Sequence, residues 1–290
     1  MNLIADRNGH MAEENSLQDR FLEWMYGHVV GRMLLRPLIS PAFSKLGGYF
    51  LNSRISVLFI KPFIRGAKID MSVYEKKKYI SYNDFFTRKL IPGARPVGLH
   101  PEELISPCDG RLGVFKITEH CSLTVKHTRY SVASLLQDRK LAEEYAGGYL
   151  WIFRLCVDDY HRYVHVDSGI TSPGARISGV FHTVNPVAND CCPIYKENTR
   201  EYTFLQSANF GRMIQMEVGA LLVGKIENRD QTGFVRRGEE KGNFAFGGST
   251  IILLTKKDTV CPDTDILENS SRGIETRVLL GETVGKKYKK

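Results

Sequence analysis

The sequence contains no run of about 18 uninterrupted apolar residues, the length that a membrane-crossing helix needs. Its longest greasy stretch, residues 43–63, is broken by Lys45, Arg54 and Lys61. Any membrane contact is therefore expected to be peripheral. Residues 1–20 are polar and acidic and hold no apolar h-region, so no secretory signal is expected. Cysteine is sparse, six in 290 residues, and no two cysteines are spaced as CxxC. That removes the usual zinc framework, and no metal site is expected. Cys191 and Cys192 are adjacent, which suits a disulfide framework poorly, so free thiols in a reducing cytosol are expected. No internal repeat is visible.

Acidic residues are scarce in one region. The chain carries a net charge of +8, and residues 16–80 hold eleven Lys/Arg against four Asp/Glu, an excess of seven. A basic patch favours an anionic partner, either nucleic acid or an acidic membrane surface. Phe21, Leu22, Trp24, Met25, Leu34, Leu58 and Phe59 lie among those charges. So much large apolar surface argues for the anionic membrane and against nucleic acid. Leu22, Met25, Val29 and Met33 recur at helical spacing, with Arg32 and Arg36 elsewhere on the wheel. Pro37 and Pro41 interrupt the pattern, and a second apolar-basic segment runs over 46–64. Residues 1–17 are expected to be disordered and 18–80 to form a helical membrane-docking region. In the competing reading those helices pack on the main domain.

With 42% apolar and 25% charged residues, the composition is globular. The texture changes beyond the boundary segment 81–97. Short β-rich runs at 112–117, 149–157, 163–166, 179–184, 212–218, 221–226 and 250–254 are separated by Gly, Pro, Asn and Asp, and helical pattern returns mainly near 131–145. Residues 81–290 are expected to form a β-rich catalytic domain. The fold class is α+β: a mostly antiparallel β core with an N-terminal membrane-associating helical region.

Four segments carry candidate chemistry. Gly247-Gly248-Ser249-Thr250 precedes a β-branched run. Glycine permits a backbone in which a peptide bends towards attack by the next side chain, so Ser249 Oγ can address the Gly248 carbonyl. Such an attack needs a base and donors for the developing oxyanion. Ser106-Pro107-Cys108-Asp109-Gly110 is a turn whose carboxylate can orient a histidine. Asp158-Asp159-Tyr160-His161-Arg162-Tyr163-Val164-His165 places 161, 163 and 165 on one face of a strand, so both imidazoles can line one site. His182, in Phe181-His182-Thr183-Val184-Asn185-Pro186, is a reserve candidate. Each segment alone reads as ordinary turn or strand.

Their order is more specific. FFTR and PGARP, then SPCDG, FRLCVDDYHR, VNP, ENTR, VGALLVG and KGNFAFGGST follow one another over about residues 25–256. This succession resembles the phosphatidylserine decarboxylase family, including the helical N-terminal portion of its shorter bacterial members. The resemblance implies self-cleavage between Gly248 and Ser249, with Ser249 becoming a covalent pyruvoyl cofactor. That group would decarboxylate phosphatidylserine to phosphatidylethanolamine through a Schiff base. It implies Asp109, His161 and Ser249 as catalytic residues. The family often reads DYHRxH; here that second place is Val164, and His165 lies one residue further on. Either His161 acts alone, or His165 reaches the site through a bulge. The resemblance also implies a peripheral enzyme on the cytoplasmic side of the cell membrane. Its two fragments stay associated, and a homodimer is compatible with it. Two alternatives stay open: a pyruvoyl decarboxylase of another amino-headgroup substrate, and an inactive relative that only binds anionic membranes.

Overall fold

The computed structural model describes residues 2–14, 24–125, 128–183, 194–220, 225–229, 232–245 and 249–289. The chain folds as a mixed α+β protein built mostly of antiparallel strands. Its largest sheet follows the order β14 (Gly233–Val235), β9 (Gly169–Thr171), β11 (Arg200–Ser207), β12 (Gly211–Val218), β16 (Ser249–Thr255), β7 (Tyr149–Leu155), β4 (Gly110–Lys116), β18 (Glu275–Val278), β1 (Asn2–Ala5) and β2 (Met11–Glu14), with β10 (Ala175–Ile177) also pairing β11. A second sheet runs β13 (Ile226–Asn228), β15 (Glu240–Phe244), β8 (Arg162–Val164). A third runs β17 (Val260–Pro262), β19 (Thr283–Lys287), β3 (Glu103–Ile105), and β5 (Ser122–Val125) pairs with β6 (Thr128–Ser131).

Both faces of the large sheet are covered, which is why its central strands read as continuous apolar runs. Every residue of β16 is buried. On one face Leu150, Ile152, Met216, Ile252 and Leu254 pack with Met25, Tyr26 and Leu35 from the helical segment. On the other, Trp151, Phe153, Leu155, Ile251 and Leu253 pack with Tyr163 and Phe244 of the second sheet. The alternation is the strand period of two.

Helices Val29–Leu38, Pro41–Leu51 and Ile60–Gly66 occupy the basic region. Ser40 caps the second, its side chain accepting from the Phe43 amide. Met25, Tyr26, Leu35 and Ile60 are buried, whereas Val30, Met33, Leu46, Tyr49, Leu58 and Phe59 are exposed. The helical pattern at 131–145 is split into Val132–Leu136 and Arg139–Glu143, because Gln137 turns left-handed with φ 54° and ends the first helix. Within the expected strand 179–184, the described residues form only a bridge between Val180 and Asn198.

The disorder expected for residues 1–17 is corrected over 2–14. There β1 pairs in parallel with β18 and turns back into β2. The reason is local: Ile4 and Ala5 are buried at the sheet edge. Arg7 also reaches Asp263 and Asp265, both at 2.7 Å, and the Thr283 carbonyl at 2.6 Å. Residues 15–17, the adjacent Cys191 and Cys192, the VNP segment and Gly247-Gly248 lie outside the described residues.

Arg7→Ala removes that clamp. Its side chain is 24% exposed, so solvent screens part of the interaction. A loss of about 1–2 kcal/mol is expected from charge-assisted bonds of this kind, measured by urea denaturation. Unchanged stability would show that the hairpin is not held by Arg7.

Candidate active site

One line of cross-strand pairs organises one end of the large sheet. Arg200 pairs with Val218, Val218 with Thr250, Thr250 with Arg154, and Arg154 with Arg111. One residue beyond this line lie Thr199, Gly219, Ser249, Leu155 and Gly110. The ENTR, VGA, GGST, FRL and DGR sequences therefore meet at one end of five adjacent strands. Gly110 needs its bare Cα there: a Cβ would lie 2.8 Å from the Arg154 carbonyl oxygen.

Ser249 opens β16 and is 1% exposed. Its Oγ has no hydrogen-bond partner among the described residues. Buried hydroxyls normally find one, so an orphan of this kind points to chemistry. Alternation puts Ser249 on the face of Ile251 and Leu253, against the layer that holds Tyr163 and Phe244. Gly219, one residue beyond β12, lies across from it and presents no side chain.

His161 is fully buried. Its Nδ1 lies 3.0 Å from the Asp159 carbonyl, a bond that fixes the tautomer with the proton on Nδ1. Its ring centroid is 4.0 Å from that of Phe86. Its own carbonyl accepts from the Phe244 amide, which ties it to the strand leading towards Ser249. His165 is also buried, with its backbone bonded to Glu239 and Gly238. It lies four positions on from His161, up to about 13 Å of extended chain. His182 lies on the flank of Tyr26: its Nδ1 is 3.2 Å from the Tyr26 hydroxyl and its Nε2 3.4 Å from Glu197. Burial lowers its pKa. Asn198 clamps the His182 backbone through both N–H and C=O and also donates to the Gly219 carbonyl.

Asp109 differs from the expected arrangement. Among the described residues its carboxylate is held by Arg95, at 3.0 and 2.7 Å, and by the Leu280 amide at 2.8 Å. The PGARP segment folds over the SPCDG turn, and a bidentate guanidinium takes the carboxylate that would have oriented an imidazole. A cleft of about 270 Å³ opens here, lined by Tyr74, Arg95, Asp109, Asp159, Tyr160 and Arg277. A larger one, about 640 Å³, lies further along the sheet over Phe115, Tyr149 and Ile152, away from the Ser249 row.

Four charged residues, Arg95 partly buried and Asp159, Glu217 and Lys241 buried, carried no role in the sequence. Arg95 sits in a recognised motif but carried no role. Asp159 pairs with Arg111 and accepts from the Cys156 amide at 2.7 Å. Burial pushes its carboxyl up to about 6, although Arg111 pulls the other way. Glu217 and Lys241 form an ion pair at 2.7 Å, with side chains 0% and 3% exposed. A glutamate between Met216 and Val218, in an otherwise apolar strand, was the available signal. Cys156, Asp158 and Asp159 also place three ligand atoms within 4.8 Å of one another. Arg154 at 3.0 Å from the Cys156 sulfur and Arg111 on Asp159 make this an ion-paired turn instead of a cation site.

Residues 82–286 match the phosphatidylserine decarboxylase family. The chain is 47% identical over 273 residues to phosphatidylserine decarboxylase proenzyme 2 of Clostridium acetobutylicum, covering 94% of each chain. It is 43% identical over 274 residues to a phosphatidylserine decarboxylase proenzyme of Clostridium perfringens, covering 92% of this chain and 93% of the relative. A Clostridium botulinum proenzyme is 41% identical over 285 residues, covering 96% and 97%.

Asp159 is expected to take up a proton as pH falls through about 6, leaving Arg111 without its charged partner. Carbon-detected NMR of the Asp159 carboxyl tests this. A midpoint below about 4, the ordinary aspartate range, would mean that Arg111 outweighs burial.

Proposed function

The chain belongs to the phosphatidylserine decarboxylase family, and from that premise we propose that it cuts itself before Ser249 and decarboxylates phosphatidylserine to phosphatidylethanolamine. The observation that carries this reading is the buried Ser249 hydroxyl at the head of β16, without a hydrogen-bond partner among the described residues. His161 is assigned as the base, because it is fully buried, its Nδ1 proton is engaged by the Asp159 carbonyl, and its backbone is bonded to the strand that leads towards Ser249. Asp109, with Arg95 as counter-ion, supplies the carboxylate of the site. His165 is assigned to the wall of the same layer.

In the first stage Ser249 Oγ attacks the Gly248 carbonyl carbon as His161 accepts the hydroxyl proton. The C–N bond breaks as the C–O bond forms, so the amide becomes an ester with a free amine on Ser249. Loss of the Ser249 α-proton then expels the Gly248 carboxylate and leaves a dehydroalanine. Its imine tautomer is hydrolysed by water, ammonia leaves, and a pyruvoyl group remains at the new N-terminus.

The site fits such a group: a pyruvoyl is small, flat and without a charge, and the buried Ser249 hydroxyl that it would replace has no hydrogen-bond partner among the described residues to lose. When in place, its carbonyl takes up the headgroup amine and the electrons released with CO2. This chain's own residues then hold the headgroup, keep water out and return a proton, the last assigned to His161. After cutting, β16 still pairs with β12 and β7 along its length, which supports lasting association of the two fragments.

No described helix is long and apolar enough to cross a membrane. The exposed side chains Leu46, Tyr49, Phe50, Leu58 and Phe59 stand beside the exposed cations Lys45, Arg54 and Lys61. That pairing supports peripheral docking of the helical region on an anionic bilayer, on the cytoplasmic side of the cell membrane.

Ser249→Ala is expected to leave one uncut, inactive chain, and His161→Ala to cut at least about a hundredfold more slowly. His165→Ala is expected to cut, and Asp109→Asn to slow cutting. Denaturing gels score the cut, and CO2 release from phosphatidylserine vesicles against free serine scores the substrate. Normal cutting in His161→Ala beside an uncut His165→Ala would reverse the assignment of the base.

Flotation with vesicles is expected to favour anionic over neutral lipid, and to weaken without vanishing as salt rises, since apolar burial is not screened. Equal flotation on both lipids at low salt would remove the electrostatic part.

A further inference from the structure

The buried Glu217–Lys241 pair joins the strand that leads towards the proposed cut to the strand beside β16. Lys241 belongs to β15, which ends at Phe244, before the Gly248–Ser249 bond. Glu217 belongs to β12, the direct neighbour of β16. Among the described residues β15 pairs only with β13 and β8, not with any strand of the large sheet. The two sheets are therefore joined here through side chains.

Those side chains form one network. Lys241 Nζ donates to Glu217 at 2.7 Å and to the Asn228 side-chain carbonyl at 3.0 Å. The Asn228 amide donates to Glu217 and Glu201, each at 3.1 Å, and the Tyr163 hydroxyl donates to Asn228 at 3.1 Å. Five strands, β8, β11, β12, β13 and β15, contribute one residue each. Glu217 pairs with Ile251, two residues along from Ser249, and alternation puts it on the Ser249 face. Because Gly219 lacks a side chain, Glu217 is the nearest β12 side chain on that face. Its Oε1 has no partner among the described residues.

We infer that the Glu217–Lys241 pair is a positioning device for self-cleavage. It fixes β15, which leads into the scissile bond, against β12, the strand on which β16 is paired as it leaves that bond. Apolar side chains of similar volume would fill the same space, but they would let the two layers slide. A buried charge pair with its hydrogen bonds allows one offset, because every other offset leaves a charge unpaired in the core. The reacting hydroxyl and carbonyl belong to neighbouring residues, so a small slide of β15 changes the angle of attack.

The inference rests on the reading that the chain cuts before Ser249. The full chain is made by cell-free translation and its cutting followed on denaturing gels, with thermal unfolding measured on the uncut Ser249→Ala background. The double variant Glu217→Leu with Lys241→Met is expected to unfold at or above the parent midpoint. It is expected to cut about tenfold more slowly or worse, the scale of loss that misplaced reacting groups produce. Lys241→Arg, which keeps the charges paired, is expected to restore most of the rate. A stable double variant that cuts at the wild-type rate overturns the inference and leaves the proposed function standing. If the double variant does not fold, Glu217→Gln decides, since it keeps volume and removes only the charge; cutting at the wild-type rate there overturns the inference equally. A wild-type chain that never cuts overturns the proposed function and this inference with it.

Discussion

Everything at the Ser249 end depends on the register of five strands. Arg200, Val218, Thr250, Arg154 and Arg111 align across β11, β12, β16, β7 and β4. The side-chain period in a strand is two, so a slip of one residue would turn Ser249 to the face of Tyr26 and away from Tyr163 and Phe244. Burial on both faces prevents that slip. Ile251 and Leu253 fill one core while Ile252 and Leu254 fill the other, and β16 has no solvent side on which an error would be cheap. Segments far apart in the chain are thus delivered to one place by packing alone.

Around that end the core contains charges, which is unusual for an interior of this kind. Arg95 holds Asp109, Arg111 holds Asp159, Arg154 holds Glu275 at 2.6 Å, and Lys241 holds Glu217. Each pair offsets a desolvation cost that either ion alone could not bear, and removing one member of such a pair typically costs about 3–5 kcal/mol. These pairs do not by themselves argue for stability, since apolar replacements often do as well. What they confer is a fixed arrangement in a low-dielectric setting, where a hydroxyl, an imidazole and a carbonyl interact more strongly than they would in water.

Much of this was legible in the amino-acid sequence. Strand runs at 112–117, 149–157, 212–218 and 250–254 correspond to β4, β7, β12 and β16, because fully buried strands announce themselves as apolar runs between turns. Ser249, Asp109 and His161 stood out through the order of their motifs. Less was legible where partners come from distant chain. Nothing near Asp109 says that Arg95 will take its carboxylate, and nothing near Glu217 names Lys241. The hairpin at 2–14 was hidden because Ile4 and Ala5 are buried within a largely polar stretch, and Arg7 meets its acids more than 250 residues away. The helical region was half legible: its periodicity showed helices, but not that Met25, Tyr26 and Leu35 would cover one sheet face while Leu46, Tyr49 and Leu58 stay exposed.

The most direct measurement is the intact mass of the purified wild-type chain under denaturing conditions. Of its 290 residues, 248 precede the proposed cut and 42 follow it. Two species of those lengths are expected, the smaller lighter by one ammonia than the same fragment beginning with serine. A single species with the mass of all 290 residues, unchanged after long incubation at neutral pH, would contradict self-cleavage at Ser249 and the chemistry built on it.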